Sequence, residues 1–142
     1  MTCAALSPIS IERVGFPVYV VATTDEGTLA ALNAARTLSS GLASTITLVV
    51  PHIVPYPQAL DHPLVPVSFS IARFAKFSAE IDTELALRIY VCRPGDGRFD
   101  AIFPMDGVVL VGGTRGRLRR TREQRLVDRL EARGRRALFV DY

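Results

Sequence analysis

Val108-Val109-Leu110-Val111-Gly112-Gly113-Thr114-Arg115-Gly116 is the stretch on which the reading of this chain turns. An unbroken apolar run of this length fits a strand buried on both faces, because a parallel strand covered by helices has no wet side and need not alternate. Glycines then crowd the next five positions, and an arginine-rich segment of helical pattern follows. A glycine turn between a buried strand and a helix is how an open α/β sheet presents a binding loop. Missing side chains let a ligand approach the backbone, and the helix N-terminus offers unpaired N–H groups to an anion.

The same alternation recurs outward from this loop. Val18 to Ala22 reads as a buried strand. Thr24-Asp25-Glu26 offers caps for a helix from about Glu26 to Ser40, with Leu29, Leu32, Ala35 and Leu38 at helical spacing and Gly41 as its stop. Ile46 to Val50 is a second strand. Pro51, Pro55, Pro57, Pro63 and Pro66 mark a connection that cannot be helical, and His52 and His62 both fall in it. A helix over Val67 to Ile81 is expected to bury Ile71, Phe74, Phe77 or Ser78, and Ile81. Leu85 to Cys92 is a third strand, and Arg88 within it suits a sheet edge better than the centre.

Pro94-Gly95-Asp96-Gly97 is a turn ahead of a short helix around Arg98–Phe103. Beyond the glycine loop, Thr121-x-x-Gln124 has the form of a capping box. It opens a helix to Arg133 with Leu126, Val127 and Leu130 inward and Gly134 as the C′ residue. Ala137 to Val140 is the last strand. Strands alternating with helices predict an α/β domain over residues 17–142, a parallel sheet covered on both faces, with residues 1–16 as an irregular arm.

Composition narrows the function classes. The chain has 142 residues, 49% of them hydrophobic and 22% charged, the balance of one globular domain with a full core. No apolar run is long enough to span a bilayer, and the first residues lack the pattern of a signal peptide, so no membrane association and a cytoplasmic location are expected. Cys3, Cys92 and the two histidines lack zinc-site spacing, and the cysteines are read as reduced and structural. The chain has no G-x-x-x-x-G-K-[ST], which excludes a Walker-type loop, and Gly95-Asp96-Gly97 lacks the third glycine of a dinucleotide fingerprint. Asp25, Asp96 and Asp100 stand at strand ends and read as cap or turn residues. No Ser/His/Asp triad can be assembled, so binding is expected rather than catalysis.

Charge is unevenly spread. Residues 115–136 hold ten arginines against Glu123, Asp128 and Glu131, while the whole chain carries a net charge of only +3. A solvated helix face is the reading expected of this segment; a phosphate surface is the alternative, and nucleic acid or another polyanion is not the partner expected.

Taken together, the order of elements and the G-[ST]-x-G of Gly113-Thr114-Arg115-Gly116 resemble the universal stress protein family over residues 17–142. Val20-Val21-Ala22 before a helix containing Ala31-Leu32, and Ile46-Thr47-Leu48-Val49-Val50-Pro51, carry the resemblance further. It implies a five-stranded sheet of order 3-2-1-4-5 and a homodimer that pairs through the last strand, here Ala137, Leu138, Phe139 and Val140. It also implies an ATP or other adenine-nucleotide site at the strand ends, comprising Ala22, Thr23, Val50, Val111, Gly112, Gly113, Thr114, Arg115, Gly116, Arg117 and Thr121.

The family's ATP-binding members follow G-x-x-G, after nine residues, with G-[ST]. Here that position falls on Leu126-Val127 or, with a two-residue deletion, on Gln124-Arg125, and the acidic residue at the end of the first strand becomes Thr23. Weak or absent ATP binding is therefore expected. The alternative is a working nucleotide site, with slow ATP hydrolysis, in which Arg115, Arg117, Arg119, Arg120 and Arg122 replace the missing motif and Thr121 supplies a hydroxyl.

Overall fold

The computed structural model describes residues 17–39, 45–56, 66–81, 83, 85–93 and 97–142. The proposed arm, Cys3, His62 and Asp96 lie outside them. The elements are β1 (Val18–Val21), α1 (Asp25–Ser39), β2 (Ile46–Ile53), α2 (Val67–Glu80), β3 (Leu85–Cys92), a 3-10 turn (Gly97–Ile102), β4 (Val108–Gly113), α3 (Arg122–Ala132) and β5 (Arg136–Asp141). All strands pair in parallel in one open sheet of order β3-β2-β1-β4-β5, a Rossmann-like α/β fold. β1 and β4 are buried along their whole length, as their apolar runs require, and β3 with Arg88 is an edge.

Helices cover both faces. On one, Val18, Val20, Ile46, Leu48, Val50, Val108 and Leu110 meet Ala31, Leu32 and Ala35 of α1 and Phe74, Phe77 and Ile81 at α2. On the other, Tyr19, Val21, Val49, Val109, Val111 and Ala137 meet Val127 and Leu130 of α3 and the aromatic rings of Phe99 and Phe103. Phe103 stands edge-on to both Phe99 and Tyr19, an arrangement that adds to simple burial.

Several local expectations are corrected. β2 runs to Ile53, past Val50 and into the proline segment. Val49 accepts a hydrogen bond from the Ala22 N–H, so the odd-numbered β2 residues face β1. β1 pairs no further than Val21, so the nitrogen of Pro51 points past its end and no ladder bond is lost. The even-numbered residues continue along β3, with Val50 opposite Ile89 and His52 opposite Val91. His52 is thus a buried strand residue rather than a loop residue, and its Nδ1 lies 2.8 Å from Ser70 Oγ.

That contact accounts for the second correction. Ser70, half-buried, takes the inward place in the first turn of α2, so Ile71 is exposed and the inward stripe reads Ser70, Phe74, Phe77, Ile81. Leu38 is also exposed at the end of α1, where Ser39 turns inward and donates to the Ala35 carbonyl. The short helix expected around Arg98–Phe103 is present as a 3-10 helix over Gly97–Ile102. Among the described residues, no helix is long and apolar enough to cross a membrane.

Candidate functional site

The site is the C-terminal edge of the sheet where β1 and β4 end side by side, the crevice at which the strand order reverses. Its geometry begins with two glycines. Gly27, in the first turn of α1, lies backbone to backbone against Gly112. A Cβ on Gly112 would overlap the Gly27 carbonyl, and one on Gly27 would come within 2.6 Å of the Gly112 oxygen. Thr23 Oγ1 donates to that same Gly112 carbonyl at 2.9 Å, while the Thr23 N–H donates to Thr28 Oγ1 at 2.9 Å. Thr24 caps α1 by accepting from the Gly27 N–H at 3.0 Å. The β1–α1 junction is therefore knit to the end of β4 by its own hydroxyls.

Gly113 and Gly116 serve different contacts. A Cβ on Gly113 would sit 3.0 Å from the Cβ and Cγ of Glu123, so this acidic side chain of the first turn of α3 lies against the strand end. A Cβ on Gly116 would overlap the Arg119 carbonyl, which makes glycine a requirement of the tight turn beyond it.

Two backbone donors of the loop converge on one side chain. Gln124 is buried, and its Oε1 accepts from the Gly116 N–H at 3.1 Å and the Thr121 N–H at 2.8 Å. Thr121 Oγ1 in turn accepts from the Gln124 N–H at 3.3 Å, completing the capping box expected from the sequence. The extra bond to Gly116 turns a helix cap into a clasp on the glycine loop.

The arginines point elsewhere. Arg115 pairs with Asp141 at 3.2 Å and lies 5.1 Å over the Phe139 ring, so it is drawn to β5. Arg120 grips Asp128 through Nε at 2.6 Å and Nη2 at 3.0 Å. Arg129 reaches the fully buried carboxylate of Asp100 at 3.0 Å. Among the described residues, no hydrogen bond, ion pair or ring contact engages the side chains of Arg117, Arg119, Arg122 or Arg125, all of them exposed.

Of the residues named from the sequence, Thr23, Gly112, Gly113, Gly116 and Thr121 come together at this edge, with Thr114 exposed beside them. Ala22 and Val111 are buried beneath it. Val50 is buried within β2, three residues short of the strand's end at Ile53. Asp25 and Asp100 lie in the first turns of α1 and of the 3-10 helix, and each also forms an ion pair, Asp25 with Arg73 at 3.1 Å and Asp100 with Arg129 at 3.0 Å. Among the described residues, no group of three or more His, Cys, Asp or Glu side chains is placed to hold a metal.

Gly27, Glu123 and Asp141 were missed by reading the sequence. Only Gly27 carries a usable signal, since a glycine early in an otherwise helical pattern points to close backbone approach. No family model matches this chain, and no curated protein matches it.

Proposed function

We propose that this chain is a universal stress protein-like binding protein, a cytoplasmic homodimer without catalytic activity, whose adenine-nucleotide site is closed by its own side chains. The observation that carries this reading is the pair of bonds from the Gly116 and Thr121 N–H groups to Gln124 Oε1. In a phosphate loop those donors would face the anion. A nucleotide must displace a buried amide that already satisfies them, at about 1 kcal/mol per bond, and must do so beside the carboxylate of Glu123.

The dimer is proposed through the β5 edge, where Leu138 is exposed and Phe139 and Val140 are half-buried. An edge strand presents unpaired N–H and C=O groups that a second copy can complete.

Titration calorimetry with ATP, ADP and AMP tests the closed site. The expected result is no binding tighter than about 100 µM. Micromolar affinity, or nucleotide carried through purification, establishes instead the reading in which exposed, unpaired Arg117 and Arg119 compensate for the missing motif.

A further inference from the structure

The arginines that the fold leaves unused are not scattered. Arg117 and Arg119 stand on the loop after β4, and Arg122 and Arg125 follow on α3, one helical turn apart and on the same side. All four are exposed and, among the described residues, unpaired. The nearby acids are removed from play one by one. Asp128 is held by Arg120, Asp141 by Arg115 and Asp100 by Arg129, while Glu123 is turned back onto Gly113.

The loop that carries this charge is also pre-ordered. Gln124 and the tight turn at Gly116 set its path, and the N–H groups of Gly116 and Thr121 are already bonded to Gln124. The loop's Arg117 and Arg119 side chains are both exposed. The N-terminal half of the α3 dipole adds to the same positive field.

We propose that the 117–125 surface docks onto the phosphate backbone of double-stranded nucleic acid without reading its sequence. A run of guanidinium groups along a loop and one helix side matches a linear array of phosphates, each able to accept two parallel N–H bonds. Leu118, 98% exposed between Arg117 and Arg119, is the single large apolar side chain of this surface. One leucine is too little apolar area for a bilayer anchor but is compatible with a wedge at a groove edge. Of the exposed aromatic residues, Tyr56 follows β2, Phe69 is on α2 and Tyr142 follows β5, so none belongs to the 117–125 surface itself, and tighter binding to a single strand than to the duplex would overturn the proposal. This docking does not depend on whether the crevice binds nucleotide.

Fluorescence anisotropy of a labelled mixed-sequence duplex of about 20 base pairs tests the proposal with the full chain. Four phosphate contacts predict a log–log salt slope of about −3.6 and a roughly 150-fold loss of affinity between about 50 and about 200 mM salt. The conservative double variant Arg117→Gln/Arg119→Gln is expected to reduce the slope by about half, and Lys76→Gln on α2 to leave it unchanged. Because both loop side chains are exposed and make no side-chain contact among the described residues, a thermal melt of the double variant should match that of the parent chain. Absence of binding at low salt, a flat salt response, an unchanged slope in the double variant, or tighter binding to anionic phospholipid vesicles than to the duplex would each overturn it.

Discussion

Gly27 of α1 and Gly112 of β4 touch through their backbones, with the Gly27 carbonyl occupying the space of a Cβ on Gly112. Thr23 reinforces this contact from β1 by donating to the Gly112 oxygen. A helix and a strand that usually pack through side chains here pack through main chain. The end of β4 is thereby pinned against the start of α1, which sets the depth of the crevice above them.

Substitution at this contact should be unusually costly. In an exposed helix Gly→Ala gains about 1 kcal/mol from helix propensity. Gly27→Ala should instead destabilise the fold by about 2 kcal/mol or more, and Gly112→Ala by about 3 kcal/mol, because both neighbours are backbone and cannot swing aside. Urea unfolding of the two variants checks the sign. A stabilised Gly27→Ala chain would show that the contact yields.

The Gln124 clasp predicts a coupled loss. Gln124→Ala leaves the Gly116 and Thr121 N–H groups without their acceptor and should cost about 2 kcal/mol, against about 1 kcal/mol for Thr121→Ala. The two side chains form one capping box, so the double variant should fall short of the sum. A double-mutant cycle by chemical denaturation measures the difference, and strict additivity would argue against a shared network.

Asp100 is fully buried, while its partner Arg129 is half in solvent. Removing the arginine strands a carboxylate in the core. Arg129→Met should cost about 2 to 4 kcal/mol, and pairing it with Asp100→Asn should recover part of that loss. Equal stabilities for the single and the paired variant would mean that the charge of Asp100 is held by other groups.

Gly134 has φ of 83° and ends α3, as its place after Arg133 led us to expect. Gly134→Ala should cost about 1 kcal/mol for the left-handed backbone, with a small further term because the new methyl meets the flexible end of Met105. The midpoint of thermal unfolding, together with the crystal structure of the variant, reports both.

The β5 edge can be tested by charge. If two copies pair there, light scattering at high micromolar concentration should show a dimer, and Leu138→Lys should return a monomer, since an exposed lysine on an edge strand opposes pairing. A monomeric parent chain ends the dimer proposal.

The local chemistry of the chain was legible before any coordinates. Unbroken apolar runs marked β1 and β4, the arginine within Leu85–Cys92 marked an edge strand, and Thr121, Gln124 and Gly134 marked the two ends of α3. These signals act over a few residues, where backbone geometry and hydrogen-bond supply are set by the nearest side chains. The strand order 3-2-1-4-5 was expected from the family resemblance and is the order found, but the individual side-chain and backbone contacts between distant segments escaped. Pro51 could extend β2 because β1 stops early, and His52 was buried because Ser70 turns toward it. Gly27 mattered because Gly112 lies against it, and Gln124 reached Gly116 because the loop folds back over α3. Sequence alone determined which segments become strands and helices and, for α3, where it begins and ends. Only the tertiary structure decided that the glycine loop closes on its own glutamine and leaves its arginines facing outward, because side-chain partners are assigned by packing and not by order along the chain.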